Sequence, residues 1–523
     1  MKNVFYINCQ FNPWIKVAQH LQKTEQLKPV YWNGYPFMDK SDILVPKAFP
    51  DIIYSEDSKS WRGIFPDKIA EKAATTCIDV DFLRKFASEE LQAIKMMDRI
   101  DYDQYSLNFQ ERERIYRNMV RGWMAAIELL SPKMVISATI PHHVSDFVLY
   151  LLCKHKGIPY IMPERTSFIG RFIINDDPYT IGDKLDVVFK EKLQEESEVL
   201  LKSLPKDMSD RYLKLQEDYS KGAPYFMQLE NKTSKRLAHF WGLADQFFRY
   251  FKDNDAHQPL WGDKGLLSHG VIVYYKNNRE WIENAHFSLV KYCYMHIVSG
   301  RFKKKMLNYY KSLTVKPDYS EPYVLFGLHY QPEATSNPAG DIFVDQRLAI
   351  DLLLKNLPDD YKIYVKEHPH QYLKQREGHT CRIKEFYDDL KKNPRIRLLD
   401  INESTFKLIQ HAKAVATIKG TIGFESAVYK KPVIQFGCSW YEKYPGVLKV
   451  TDEESAKRIH SFIADYKFDE HALLAYLAAT ADKSYLAYFY LNYMKGSLTM
   501  TEDECAAIWT EAISTYLHRN EKR

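Results

Sequence analysis

Residues 415–436 read VATIKGTIGFESAVYKKPVIQF, and this stretch decides the fold. Val415-Ala-Thr417 has the apolar, β-branched character of a buried strand. A turn holding Gly420 and Gly423 follows, and Ile422–Tyr429 reads as a helix. Pro432-Val-Ile-Gln-Phe436 reads as the next strand. A strand, a short turn, a helix and a strand form a βαβ unit, and such a crossover implies parallel strands.

The alternation continues upstream. Strands are expected at Tyr323–Phe326, Lys362–Val365 and Ile396–Leu399, with helices at Asp345–Asn356, Lys384–Lys391 and Phe406–Ala412. Ser404 or Thr405 can cap the last of these. Such a β/α series predicts a doubly wound parallel sheet. A second unit lies near the N-terminus. It has strand-like runs at Val4–Ile7, Val30–Trp32, Met134–Ala138 and Tyr160–Met162, and the segment Val144–Lys156 reads as a helix. Residues 66–130 and 184–315 have helical spacing, with a strand-like run at Gly270–Tyr275 of undecided placement.

The expected fold class is therefore α/β, with two Rossmann-like domains facing a cleft. The expected divisions are 1–183, a helical insertion and connection at 184–320, a nucleotide domain at 321–450 and a helical tail at 451–523. A chain of 523 residues exceeds what one hydrophobic core organises, which fits more than one domain.

Composition narrows the function classes. A net charge of +5 is too small for the electrostatic footprint of a nucleic-acid protein and suits an anionic small ligand. The 37 tyrosines include rings that can stack on sugars, although core packing accounts for most such rings. The seven cysteines are scattered with no metal-ligand spacing, which points to a reducing compartment. No apolar run reaches the ~18 residues that span a bilayer. The first residues look like a strand, not a leader, and a cytoplasmic location is expected. The basic run Arg301-Phe-Lys-Lys-Lys305 could touch the inner membrane peripherally; a solvated helix face is the commoner explanation of such a run.

In open α/β sheets, ligands bind beyond the carboxyl ends of the strands, so the loops there carry the chemistry. Lys366-Glu-His368-Pro369 follows one strand, and a Lys or a protonated His there can neutralise a phosphate. Thr417, Gly420, Thr421 and Gly423 lead into a helix whose N–H groups and dipole favour an anion. Glu425, one turn on, could hold a ribose diol or simply favour the helix dipole. His329, Gln331 and Glu333 follow the first strand of this domain, and Glu333 is a candidate catalytic carboxylate. In the N-terminal unit, His142, His143, Asp146, Glu164, Arg165, Thr166 and Arg171 follow strands as candidate acceptor contacts. The arginines are suited to clamp an anion. Two DxD sequences, Asp79–Asp81 and Asp101–Asp103, read as surface acids, and no metal ligands are assigned.

These motifs, namely Gln331-Pro-Glu333, Asp345-Gln346, Tyr364–Pro369, Thr417–Glu425 and Lys431–Gly437, resemble the bacterial capsule polysaccharide biosynthesis family, which includes Kdo transferases. The resemblance implies a GT-B fold and transfer of a 2-keto sugar acid, Kdo or a sialic-acid-like nonulosonate, from a CMP donor. The acceptor would be a glycan or lipid-linked glycan of capsule or lipopolysaccharide. No cofactor or metal is implied beyond the CMP-sugar itself. His368 would meet the CMP phosphate and Glu425 the ribose. Where the family carries Gln-x-x-Asp, this chain reads Gln331-Pro-Glu333-Ala334, which sets the carboxylate one position early. Two alternatives remain open: a UDP-type nucleotide-sugar epimerase of similar fold, and a non-catalytic polysaccharide assembly protein.

Overall fold

The computed structural model describes residues 1–9, 12–34, 41–101, 107–217, 289–332, 335–373, 378–488 and 500–520. Its strands form two sheets. The first contains β1 (Lys2–Ile7), β2 (Leu27–Gly34), β3 (Ile53–Glu56), β4 (Met134–Ser137), β5 (Tyr160–Arg165) and β6 (Arg171–Asn175). The second contains β7 (Tyr323–Gly327), β8 (Lys362–Lys366), β9 (Ile396–Leu399), β10 (Ala414–Thr417), β11 (Val433–Gln435) and β12 (Val447–Lys449). A short strand, β13 (Tyr485–Leu486), returns to the first sheet.

The second sheet has the order β12-β11-β10-β7-β8-β9 and is parallel throughout. The chain runs outward from β7 to β9, then restarts on the other side of β7 at β10. β7 and β10 are thus neighbours whose following loops diverge, and this opens a crevice at their carboxyl ends. The first sheet repeats the plan. In β5-β4-β1-β2-β3 all pairs are parallel, and the switch falls between β1 and β4. β6 and β13 extend it antiparallel.

Each sheet is buried on both faces. Trp123, Tyr31 and Phe147 fill one side of the first sheet and Trp32, Trp14 and Trp509 the other. Ile363 and Phe326 lie under one side of the second, with Tyr323 and Tyr364 stacked on the other. This two-sided burial explains why the strands read as continuous apolar runs without alternation. Helix Val144–Lys156 is buried from Val144 to Cys153 and ends at Gly157, whose φ of 67° closes it in the left-handed conformation glycine tolerates.

The C-terminal segment divides between the two units. Helix Glu470–Lys483 packs with helix Ile181–Lys192 against the second unit. The last helix, Glu502–Asn520, crosses back to the first unit. There Trp509 stacks on Phe172 at 3.9 Å and lies 4.8 Å from Trp14. Aromatic pairs add about 0.5–1.5 kcal/mol each beyond area burial, enough to hold the tail in register.

Several expectations change in detail. β3, β6, β12 and β13 were not anticipated from sequence. β5 continues past Met162 to Arg165. Pro163 is tolerated there because the pairing with β4 ends at Ile161, so no ladder N–H is lost on that side. Asp101 is not a surface acid: it is buried and paired with Arg112 at 2.9 Å. Asp79 caps helix Val80–Lys85 and meets His155 at 3.1 Å. Asp103 and the run Gly270–Tyr275 lie outside the described residues. Among the described residues, no helix is long and apolar enough to cross a membrane. In helix Leu289–Leu313, Arg301, Phe302, Lys304 and Lys305 are exposed while Lys303 is buried.

Candidate functional site

A cavity of about 550 Å³ lies where the carboxyl ends of the two sheets face each other. Its second-unit wall is formed by the loops after β7, β8 and β10. Its first-unit wall includes Thr139 and His142 after β4, and Glu164 to Ser167 at the end of β5.

The β8 loop is held from behind. Glu367 is buried, and its carboxylate accepts from the Arg382 guanidinium at 2.8 Å, from the Tyr387 hydroxyl at 2.5 Å and from the His368 N–H at 2.7 Å. Its own N–H donates to the Tyr310 hydroxyl at 3.0 Å. A carboxylate with this many donors fixes the backbone that carries His368. The His370 N–H donates to His368 Nδ1 at 3.1 Å. A backbone N–H only donates, so Nδ1 is an acceptor and the neutral ring carries its proton on Nε2. His368 and Pro369 both line the cavity.

Lys366, at the end of β8, is buried and donates to the Thr405 hydroxyl at 2.8 Å. Burial pushes its ammonium down to about 8, against the pull of Asp400 and Glu403. Thr405 opens helix Thr405–His411, which Ser404 caps by accepting from the Lys407 N–H. Lys366 therefore stands at a helix N-terminus, where positive potential already gathers.

The turn after β10 forms the opposite part of this wall. Thr417 is fully buried, and its hydroxyl oxygen accepts from the Gly420 N–H at 3.0 Å. The Lys419 N–H donates to His329 Nε2 at 3.2 Å, and the Thr417 hydroxyl faces the same nitrogen at 3.2 Å. His329 thus ties the β7 loop to the β10 turn across the switch point. Gln346 holds the backbone of His329 from both sides, donating to its carbonyl and accepting from its N–H. Gly420, Thr421 and Ile422 line the cavity at the start of helix Thr421–Val428, where the first N–H groups of a helix lack intrahelical acceptors, and the Gly423 N–H bonds the Gly420 carbonyl at 3.0 Å. A Cβ on Gly423 would sit 2.4 Å from the Tyr441 hydroxyl, so this glycine makes room for Tyr441, which donates to the Gly420 carbonyl at 2.6 Å.

The sequence-derived site residues divide accordingly. Lys366, His368, Pro369, Thr417, Gly420, Thr421 and Glu425 come together around one cavity with His329, His142 and Arg165. Glu425 is buried and lies 3.5 Å from Arg211 of helix Lys206–Glu217. Two expected substrate contacts are placed elsewhere. The Arg171 guanidinium is clamped by Asp207 at 2.5 and 2.8 Å and donates to Ser484 at 3.2 Å. It joins β6 to a helix and the C-terminal segment, because a buried arginine must satisfy its donors within the fold. Gln331 donates from its side chain to Ser336 at 2.8 Å, and its backbone N–H and carbonyl bond the side-chain amide of Gln371, so it shapes the loop and does not line the cavity. Glu333 lies outside the described residues.

One relationship was not read from the sequence. Lys419 Nζ lies 2.9 Å from Glu164 Oε1, and both side chains are buried. The contact is close but poorly aligned as a hydrogen bond, so it acts as an ion pair. Burial raises the Glu164 carboxyl while the Lys419 charge opposes the shift. The available signal was a lysine beside a glycine in a strand-to-helix turn, opposite a glutamate at another strand end.

The chain is similar to the Thermosulfurimonas dismutans KpsC β-Kdo 2,7 transferase at 16% identity, over 41% of this chain and 61% of that one, with a TM-score of 0.23. The chain thus spans less than two thirds of that structure. It is also similar to the UDP-GlcNAc 2-epimerase from Methanocaldococcus jannaschii, at 12% identity over 90% of this chain and 94% of that one, with a TM-score of 0.23. The N-terminal domain of Candida albicans trehalose-6-phosphate phosphatase gives 11% identity over 98% and 97%, with a TM-score of 0.25. Scores this low assign neither activity nor substrate. No curated protein matches the chain significantly. The β8 and β10 loops both fall within residues 343–490, and over that segment the chain matches the family model described as capsule polysaccharide biosynthesis protein, the family its motifs resemble.

Proposed function

We propose that the protein is a glycosyltransferase of capsule or lipopolysaccharide assembly that moves a 2-keto sugar acid from a CMP donor to a glycan acceptor. The observation that carries this reading is the convergence of Lys366, His368 and the Gly420–Thr421 turn on one cavity, within the segment matched by the capsule family model.

The donor carbon is tertiary and bears a carboxylate, so its bond to the phosphate oxygen breaks through an oxocarbenium-like transition state. Negative charge grows on the departing CMP phosphate. Lys366, the Nε2–H of His368 and the N-terminal turn of helix Thr421–Val428 are fixed donors for that charge, and preorganised donors need no reorganisation as the bond breaks. This half of the reaction uses no metal. As the acceptor hydroxyl bonds to the sugar carbon, it gives up its proton to a carboxylate, for which Glu333 is the proposed residue. Glu425 is proposed to orient the ribose, and Arg165 to meet the sugar carboxylate or an anionic acceptor. His142 is proposed to contact the acceptor. The exposed Arg301-Phe302 and Lys304-Lys305 are proposed to rest on an anionic membrane where a lipid-linked acceptor resides.

The test is release of CMP from a panel of CMP-activated sugar acids in the presence of acceptor glycans. Acceptor-dependent release is expected, and Glu333→Ala should lower turnover without weakening donor binding. A panel with no acceptor-dependent release would overturn the reading.

A further inference from the structure

One polar cluster, at the switch point of the first sheet, surrounds His142, for which only an acceptor contact has been proposed so far. His142 and His143 precede helix Val144–Lys156, and Asp146 lies in its first turn. One ligand atom from each lies within 4.8 Å of the others. Asn8, directly after β1, reaches the same place: its amide donates to Asp146 Oδ2 at 2.5 Å. The cluster thus joins the carboxyl ends of β1 and β4, where an open α/β sheet binds its ligand.

The atoms facing this spot lack partners. Asp146 Oδ1, Asn8 Oδ1 and His143 Nδ1 are buried with no hydrogen bond, and Asn8 and Asp146 are only 4% and 3% exposed. The Asp57 carboxyl, 2% exposed, acts on Asp146 from nearby and is itself met by the Trp61 indole. Buried polar atoms are ordinarily satisfied, so a group of orphans at one place marks a missing ligand. Asp146 Oδ1, Asn8 Oδ1 and His143 Nδ1 can each offer a lone pair, a set that suits a cation, and such an ion would share the site with the Arg99 guanidinium, whose charge also acts on His142, His143 and Asp146.

The tautomer agrees. His142 Nδ1 lies 2.8 Å from the Ile140 carbonyl, which only accepts. Nδ1 therefore carries the proton and Nε2 offers its lone pair, and a backbone carbonyl behind an imidazole is the usual support of a metal ligand. Asn8 orients the Asp146 carboxylate in the same way.

We propose that His142, His143 and Asp146, with Asn8 Oδ1 as a fourth donor, bind one divalent cation of the zinc type on the first-unit wall of the cavity. Imidazole nitrogen with carboxylate oxygen is a donor set suited to such ions. The ion would draw the four side chains together. His142 also lines the cavity, so a position left open on the ion faces the space assigned to the acceptor. A hydroxyl held there would lose its proton more readily, which is the chemistry required of an acceptor.

The experiment uses the full chain stripped of metal and titrated with Co²⁺, followed by its visible d–d absorption, and then with Zn²⁺ by equilibrium dialysis. One saturable equivalent is expected, with Zn²⁺ displacing Co²⁺. His142→Ala and Asp146→Asn should each weaken binding tenfold or more, whereas His155→Ala, at the separate His155–Asp79 contact, should leave it unchanged. His142 is only half-buried, so its variant should fold even if the Asp146 variant does not. Absence of a saturable equivalent in the unmodified chain, or undiminished binding by His142→Ala, would overturn the proposal.

Discussion

Lys419 and Glu164 belong to opposite walls of the cavity, and their charges meet at 2.9 Å in a buried setting. The contact links the β10 turn of the second unit to the end of β5 in the first. It also fixes a lysine beside the turn proposed to hold phosphate. Removing one partner leaves an uncompensated buried charge, whereas removing both does not.

Glu164→Gln and Lys419→Met should therefore each destabilise the fold by about 3–5 kcal/mol. The double variant should cost clearly less than the sum. Denaturant unfolding of the four proteins measures this coupling, and additive losses would show that the pair does not act as a unit.

Lys366 gives a pH dependence. Its ammonium is held down to about 8 by burial, so the unliganded protein loses this charge as pH rises through that value. CMP affinity should be greatest below about 8 and fall above it. A bound phosphate stabilises the ammonium and spreads the decline upward. Lys366→Arg keeps its charge throughout and should flatten the profile measured by titration calorimetry.

Gly423→Ala should displace Tyr441, because the new Cβ would lie 2.4 Å from its hydroxyl and 2.9 Å from its Cζ. The bond from Tyr441 to the Gly420 carbonyl would be lost with it. A stability cost of about 1–3 kcal/mol is expected for such overpacking, with weaker CMP binding. Tyr441→Phe in the same chain should rescue only part of this, since Cζ remains. Thermal unfolding with and without CMP reads both effects.

Arg171→Ala separates structure from binding. Asp207 and Ser484 hold this guanidinium away from the cavity. The variant should lower the melting temperature, a loss of about 1–3 kcal/mol from the unpaired partners, while leaving CMP affinity unchanged.

The second unit was largely legible in the sequence. Its strands are short and buried on both faces, its helices are short and separated by turns, and its phosphate-suited loops follow strands directly. Helix Val144–Lys156 was likewise read to the residue. What the sequence hid depends on pairing across distance. β6 has no strand signal apart from its partner β5, and β13 is two residues long. Arg171 looked like an anion clamp because Asp207 is distant in sequence, and Lys419 and Glu164, each at a strand end, are paired only once the two sheets face each other. The orphaned atoms around Asp146 emerge only when β1 and β4 lie side by side.

The central claim is that the cavity binds CMP through Lys366, His368 and the Gly420–Thr421 turn. The most direct measurement is thermal stabilisation of the protein and of His368→Ala by CMP, UDP and GDP. A ligand at about 100 Kd stabilises by about 2.7 kcal/mol. CMP should raise the melting temperature most, and His368→Ala should weaken CMP binding about tenfold or more. Stabilisation by UDP with none by CMP, or an undiminished CMP shift in His368→Ala, would contradict it.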